Sequence, residues 1–487
     1  MISGVLDALP AVLPAFLIQQ RWFGGKARRI ARCEIEDSAD LPGPHGDVAV
    51  VIASVSYSDA LPERYALLVS HRPDTHGLPA LGRLGSAEGD WILEAATDPE
   101  AARALLHGFI EDRPIPTYRG GVLRYADVGA VARQALATGA PLVKAVGSEQ
   151  SNTSLRVGPT LVFKLFRRLE PGENPELGLG RFLTSRTSFR AMSGLEGSLT
   201  YHPPSGESAT LGVLQTWIDN LGDGWSYVLS ALGESRRTAR RRSTLGSDMA
   251  QLGMITGDFH AALESDRSLE AFRPEPVKSS DVDAWSAQLR DRVARVCALI
   301  GPRLDAWPDE SRRLGKSLLE KSRIAHAIAS AGGGGSASFS KIRIHGDYHL
   351  GQTLKTASGF TIIDFEGEPA TPITARQQKH CALKDVAGML RSFDYAIETA
   401  SDQTPDTPDR PWAPPDLRQS FLAGYFQSAG EHGMVSLPAS PSAIGQWLTF
   451  FELEKAFYEL EYEINNRPTW VKIPLRGILR ALDAREA

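Results

Sequence analysis

His345-Gly346-Asp347-Tyr348-His349-Leu350-Gly351-Gln352, followed by Ile362-Ile363-Asp364-Phe365-Glu366-Gly367-Glu368-Pro369, is the stretch on which the fold and the chemistry turn. The short run Lys341-Ile342-Arg343-Ile344 leads into the first loop, and Phe360-Thr361-Ile362-Ile363 leads into Asp364. The order reads as strand, loop, strand, turn, strand, with the turn at Ala357-Ser358-Gly359. A hairpin there brings Asp347, Gln352, Asp364 and Glu366 around one small volume. Phosphoryl transfer needs that combination. One carboxylate orients the attacking hydroxyl and takes its proton, while a second carboxylate and a neutral amide oxygen hold Mg²⁺ against the phosphates. Zinc fits less well, because His345 and His349 lack a third nearby nitrogen or sulfur ligand. His345 reads instead as a residue that hydrogen-bonds backbone and orders the loop.

The nucleotide half lies upstream. The chain has no Walker A sequence and no GxGxxG. Phosphates can be met by the hairpin Gly147-Ser148-Glu149-Gln150-Ser151-Asn152-Thr153-Ser154, whose backbone N–H groups and hydroxyls are donors. Lys164 follows the apolar run Leu161-Val162-Phe163 and precedes Leu165-Phe166. A lysine inside a buried strand needs a charged partner, which phosphate and a helix glutamate together supply.

Working outward, residues 5–20 read as a short amphipathic helix. Residues 47–59 and 63–72 read as antiparallel strands, and residues 98–110 as a helix capped by Asp98 with Pro99 at its first position. This leading part holds no catalytic cluster and reads as a cap. A strand-rich region runs from Val122 to the strand Val213–Asp219, which enters the bend Leu221-Gly222-Asp223-Gly224-Trp225. From Ser226 the pattern becomes helical, with a flexible insert at Gly332–Gly335.

The whole chain has 487 residues, 42% of them hydrophobic, which suits two or three subdomains. Its 53 Lys and Arg against 58 Asp and Glu leave a net charge of −5. That balance argues against non-specific nucleic-acid binding, and the cluster Arg236, Arg237, Arg240, Arg241 and Arg242 reads as a solvated linker. Cys33, Cys297 and Cys381 are far apart and suggest neither a disulfide framework nor a zinc site. The apolar N-terminus lacks a basic n-region and is interrupted by Pro10 and Pro14, so a soluble cytoplasmic protein without membrane spans is expected.

Near the C-terminus, Leu453, Ala456, Phe457, Leu460 and Ile464 share one helix face, while Lys455, Tyr458, Glu459 and Tyr462 share the other. Arg467 and Trp470 follow. Aromatic rings flanked by charged hydrogen-bonding groups suit a sugar, which offers apolar C–H faces and many hydroxyls.

The chain resembles the maltokinases, sugar kinases related to the aminoglycoside phosphotransferases. The resemblance rests on QRWFGGKAR at 20–28, GSEQSNTSLRV at 147–157, VFKLFRRLEPGENPE at 162–176, HGDYHLGQ at 345–352, IIDFEGEP at 362–369, KDVAGMLRSFDYA at 384–396 and EKAFYELEYEINNRPTWVKIPLRGI at 454–478. It implies an α+β, bilobal protein-kinase-like fold: a β-rich cap (1–112), a nucleotide-binding N-lobe (113–221) and a mainly helical C-lobe (222–487). It implies that ATP and maltose give ADP and maltose 1-phosphate, feeding bacterial α-glucan and glycogen synthesis, often beside a trehalose synthase. Carried onto this sequence, Asp347 is the catalytic base, Gln352 and Asp364 are Mg²⁺ ligands with Glu366 close by, and Lys164 is the phosphate lysine with Glu176 its partner. Ser151, Asn152 and Thr153 fall in the phosphate hairpin. Gln215-Thr216-Trp217 is the hinge that meets adenine by backbone hydrogen bonds. His349, Lys455, Tyr458, Tyr462, Arg467 and Trp470 are the sugar-site residues.

Two departures bear on this. Gly178 stands where the family often has an acid, which leaves Glu176 or Glu173 to pair with Lys164, and the stretch Ala375–Val386 departs from the family's arginine-rich form. A kinase for another sugar or an amino sugar such as glucosamine is the alternative, with Glu459 or Glu463 facing the ammonium group. A regulatory pseudokinase would lack one of Lys164, Asp347 and Asp364, all of which are present. None of these motifs demands more than a monomer.

Overall fold

The computed structural model describes residues 3–41, 48–84, 90–111, 113–137, 142–147, 151–236, 238–332, 338–403 and 414–486. Ser148-Glu149-Gln150 of the phosphate hairpin, Arg237 and most of the glycine run lie outside them. The chain divides into two compact units: residues 1–185 with 193–218 and 372–374, and residues 186–192 with 219–371 and 375–487.

The first unit opens with α1 (Ser3–Gln19) and the strands β1 (Ile30–Asp40), β2 (Val48–Tyr57), β3 (Glu63–Arg72), β4 (Ala80–Arg83) and β5 (Trp91–Glu94). These strands form an antiparallel sheet in the order β1-β2-β3-β5-β4. Helix α1 runs straight through Pro10 and Pro14, where the sequence suggested interruptions. Each proline forfeits one backbone bond, but Val5, Leu9, Leu13, Phe16 and Leu17 are buried in a common core with Val51, Val55, Leu67 and Val69 of the sheet. Burial of that stripe outweighs the lost bonds.

The chain continues through α2 (Pro99–Glu111), β6 (Ile115–Pro116), β7 (Val122–Ala126), α3 (Ala130–Ala137), β8 (Val143–Ala145), β9 (Asn152–Val157), β10 (Leu161–Phe166), β11 (Arg168–Leu169), α4 (Pro175–Arg186), β12 (Leu195–His202) and β13 (Ala209–Thr216). A seven-stranded antiparallel sheet results, in the order β6-β7-β12-β13-β10-β9-β8, while β11 pairs with β3 of the first sheet. One core of Leu and Phe side chains, including Leu105, Phe109, Leu155, Phe163 and Leu214, fills the space beneath this second sheet.

The second unit is mostly helical: α5 (Gly224–Ser235), α6 (Ala239–Leu263), α7 (Ser279–Ile300), α8 (Asp309–Glu320), α9 (Ser322–Ala331), the end of the single turn α10 (Ile373–Arg376), whose first residues belong to the first unit, α11 (Leu383–Gln403), α12 (Leu417–His432), α13 (Pro441–Asn466) and α14 (Lys472–Glu486). Two short antiparallel strand pairs interrupt it: β14 (Glu275–Pro276) with the distant β15 (Ser340–Lys341), and the hairpin of β16 (Thr353–Lys355) with β17 (Phe360–Ile362). The α+β, protein-kinase-like architecture expected from sequence is present, with a β-rich N-terminal part and a helical C-terminal part. Among the described residues, no helix is long and apolar enough to cross a membrane.

Candidate active site

The loop between β15 and β16 is held from below. Asp385, near the start of α11, accepts the backbone N–H of His345 at 2.7 Å and that of Gly346 at 2.9 Å. Its Oδ2 also lies 3.1 Å from His260 Nε2 on α6, and His260 Nδ1 lies 3.0 Å from the Tyr425 hydroxyl. Burial alone pushes the Asp385 carboxyl up, but the His260 hydrogen bond and the loop N–H groups hold it below the ordinary carboxylate value. Gly346 adopts a φ of +85°, which a residue with a Cβ takes up only under strain. The expected role of His345 is visible in atoms. Its Nδ1 lies 3.4 Å from the Asp347 N–H and its Nε2 3.0 Å from the Ile363 carbonyl, so Nε2 carries the proton and donates.

Asp347 then meets α13. Lys455 Nζ lies 3.1 Å from Asp347 Oδ1 and 3.8 Å from Glu368 Oε1. His349 Nε2 is 4.0 Å from Asp347 Oδ2, while His349 Nδ1 accepts the Gly351 N–H at 3.0 Å. Burial raises the Asp347 carboxyl, yet the charge of Lys455 and the neighbouring His349 hold it below the usual range. Burial likewise lowers His349, whereas the surrounding carboxylates outweigh burial at Lys455 and raise it. Asp347 is therefore an ionised carboxylate held in place, as a proton acceptor requires.

A small cavity of about 20 Å³ opens at this carboxylate, and Glu368, Lys384, Glu454, Lys455 and Tyr458 are among the residues that line it. Burial and the neighbouring Glu368 push the Tyr458 hydroxyl up, and Arg292 of α7 sits 5.1 Å over the Tyr458 ring. Lys384 pairs with Glu454 at 2.9 Å. Sequence reasoning missed Arg292, Glu368, Lys384 and Glu454. Three of them are adjacent to or inside quoted motifs, but Arg292 lies in an ordinary amphipathic helix that gives no local signal.

The β16–β17 hairpin does what its sequence suggested. Thr353 pairs with Ile362, and the Ile363 N–H donates to the Gln352 carbonyl at 3.0 Å, so Gln352 and Asp364 leave neighbouring strand ends together. Asp364 has a φ of +67°, a left-handed conformation rare outside glycine, asparagine and aspartate, and such strain clusters at functional sites. Among the described residues no group of three or more His, Cys, Asp or Glu side chains is placed to hold a metal ion. One carboxylate and one amide oxygen, with the shell left for phosphates and water, is nevertheless the donor set that fits Mg²⁺. The Glu366 carbonyl accepts from Arg376 at 3.0 Å.

The other sugar-site expectations divide. Lys455, Tyr458 and His349 surround Asp347. Tyr462, Arg467 and Trp470 do not line the cavity: Arg467 forks onto Glu463 at 2.9 and 2.6 Å, its guanidinium lies over Tyr462 and Trp470, and Trp470 stacks on Tyr395. Glu459 and Glu463 are also committed elsewhere, because Glu459 accepts twice from the buried Arg391, at 2.9 and 2.7 Å. These residues brace the end of α13. The helix turns only part of its polar face to Asp347, which the sequence periodicity cannot show.

In the first unit, Lys164 Nζ stands 3.9 Å from Glu176 Oε2, and Gln215 Nε2 donates to Glu176 Oε1 at 2.8 Å. Glu173 instead pairs with Arg181, and a Cβ at residue 178 would come within 2.8 Å of Glu173 Oε1. The expected hinge is partly spent. Gln215 lies inside β13 and is paired on both sides, and the Trp217 N–H donates to the Thr160 carbonyl at 2.7 Å. Thr153 accepts from the fully buried Arg167 at 2.8 Å, and Arg167 pairs with Glu94 of β5 at 2.6 Å, so the end of the phosphate hairpin is tied to the first sheet. Ser151 is exposed and Asn152 Nδ2 donates to its hydroxyl at 3.2 Å.

Comparison with known proteins gives three findings. Residues 16–98 match the family described as the maltokinase N-terminal cap domain. The chain is 29% identical over 340 residues to the glucosamine kinase of Streptacidiphilus jiangxiensis, covering 67% of this chain and 70% of that one. It is 22% identical over 420 residues to the glucosamine kinase of Mycolicibacterium smegmatis, covering 86% and 95%. Among solved structures, a glucosamine kinase in complex with glucosamine, ADP and inorganic phosphate superimposes with a TM-score of 0.66 at 21% identity over 99% of both chains. A second crystal form of a glucosamine kinase gives 0.69 at 20% identity over 98% of this chain and 99% of that one. The fold is that of the glucosamine kinases.

Proposed function

We propose that this protein is an ATP-dependent sugar kinase, and that an amino sugar of the glucosamine type is its acceptor. The observation that carries the reading is the Asp347 carboxylate, held ionised by Lys455 at 3.1 Å on a loop anchored through Asp385. A sugar hydroxyl facing this carboxylate gives its proton to Asp347 as its oxygen attacks the γ-phosphorus. The bond to the β-phosphate oxygen breaks and ADP leaves. Gln352 and Asp364 would hold Mg²⁺, which when bound neutralises phosphate charge. Lys164, positioned by Glu176, supplies a cation for the inner phosphates.

The amino-sugar assignment draws on the two relatives named above and on the charge around the cavity. Asp347 and Glu368 set two carboxylates against the single Lys455 ammonium at 3.1 and 3.8 Å, and an ammonium group is welcome beside them. Glu368 replaces Glu459 and Glu463 as the acid available to it, since Glu454 is paired with Lys384 at 2.9 Å. Maltose is the second reading, favoured by the cap-domain match over residues 16–98 and by the sequence resemblance. The link to α-glucan synthesis and a trehalose synthase belongs with that second reading.

ADP release with ATP and Mg²⁺ across glucosamine, glucose, maltose and other sugars, with phosphorus NMR of the product, tests this. Turnover on glucosamine with no turnover on maltose supports the first reading. Maltose turnover with phosphate on the anomeric carbon replaces it with the second. ADP release with no acceptor above the sugar-free background would refute both.

A further inference from the structure

The face of the second sheet that carries Lys164 also carries an arginine. On β9 and β10, Leu155, Val157, Leu161, Phe163 and Leu165 are buried in the core, so Ser154, Arg156, Val162 and Lys164 occupy the opposite face. The register sets Lys144 opposite Arg156, Arg156 opposite Val162, and Val162 opposite Gln215, while Lys164 is opposite Ser154. Arg156 Cζ lies 4.4 Å from the centre of the Trp217 ring, just beyond the end of β13.

Two residues along an extended strand span about 6.6 Å, comparable to the reach from a nucleotide's inner phosphates to its base. With phosphates at Lys164, the base falls beneath the next pair on the same face, Val162 and Arg156, beside Trp217. We propose that Arg156 lays its guanidinium plane on the nucleobase and sets the preference for a purine. The inference rests on the nucleotide half of the proposed function and is independent of the acceptor.

A guanidinium suits this position. It is planar, weakly hydrated for a cation, and stacks on aromatic faces, and here it already lies over Trp217. A purine offers it a larger π face than a pyrimidine. A lysine has the charge but no plane. An aliphatic side chain has contact area but neither charge nor plane.

The test measures nucleotide binding by calorimetry with no sugar present, using ATP, CTP and inorganic tripolyphosphate as probes. The wild type is compared with Arg156→Ala, Arg156→Lys and Arg156→Leu. Melting temperatures check folding, and Arg156→Leu keeps side-chain bulk on the strand in case Arg156→Ala is unstable. In Arg156→Ala the ATP affinity is expected to fall about tenfold, tripolyphosphate affinity to stay unchanged, and the ATP-over-CTP preference to narrow. Arg156→Lys should not restore the preference. Equal losses for ATP and tripolyphosphate would make Arg156 a phosphate contact and overturn the proposal, as would full rescue by lysine or an unchanged ATP affinity. A wild-type protein that binds no nucleotide would sink the proposed function and this contact together. Binding with no turnover on any sugar would sink the acceptor assignment alone.

Discussion

Removing Lys455 should convert Asp347 from a permanently ionised base into one that titrates within the working pH range. In the wild type two influences oppose each other at Asp347: burial raises the carboxyl, and the Lys455 charge at 3.1 Å, aided by His349, lowers it below the ordinary 3.8. In Lys455→Met the first persists and the second largely disappears, while Glu368, which Lys455 also faces at 3.8 Å, adds like-charge repulsion. An opposite charge at this range is worth about 1–3 pKa units, and each unit corresponds to about 1.4 kcal/mol. The sign follows directly. A depressed carboxyl is ionised at every pH above its folded value, and loss of its partner moves that threshold upward. The kcat/KM of the wild type should show no acid limb from Asp347 across the assayed range, whereas in Lys455→Met an acid limb should move up into it. Lys455→Arg, which keeps the charge, should shift it little. The assay is kcat/KM between pH 5 and 9 for all three proteins on whichever acceptor the wild type uses. A Lys455→Met enzyme slowed by one constant factor at every pH would refute the argument, because Lys455 would then act on the acceptor and not through Asp347.

Three further outcomes are expected. Asp347→Asn should lower kcat by about 10²–10⁴ with nucleotide affinity retained; wild-type turnover would remove Asp347 from the mechanism. Glu94→Gln leaves the buried Arg167 guanidinium without its carboxylate at 2.6 Å and should cost about 3–5 kcal/mol in urea unfolding; amide exchange should rise at Asn152–Ser154, and a change under about 1 kcal/mol would count against the tie to the phosphate hairpin. His380, half-buried and stacked 4.4 Å from Trp285, is pushed down to about 3, chiefly by desolvation. Between pH 6.5 and about 3 the unfolded chain then binds a proton that the folded one does not, so stability should fall on acidification by about 1.4 kcal/mol per pH unit. His380→Asn should flatten that slope by one proton, read from urea midpoints across the window.

The individual residues show why reading a chain stops where it does. The loop 345–352 and the strand entering Asp364 were legible because both are contiguous, and a hairpin joins them with a known register. His345 could be assigned to loop ordering for the same reason. The anchor beneath that loop could not: Asp385 and His260 are separated by 125 residues, and nothing local in either helix announces the other. Helix α13 marks the boundary within one element. Its periodicity separated a polar from an apolar face, but Tyr458 meets the cavity at Asp347 while Glu459 meets Arg391.

From the sequence alone came the reaction chemistry suggested by Asp347, Gln352 and Asp364, the β-rich then helical order of the chain, and the lysine that needs a charged partner. Those depend on short-range periodicity and on residue chemistry, which a linear string preserves. Tertiary structure decided which glutamate stands by Lys164, which acids surround the cavity at Asp347, that the Trp217 N–H is already bonded to the Thr160 carbonyl, and that Arg156 shares a face with Lys164. Each of these is a pairing between distant segments, set by strand register and helix rotation, and those are determined by packing of the whole chain and not by any stretch of it.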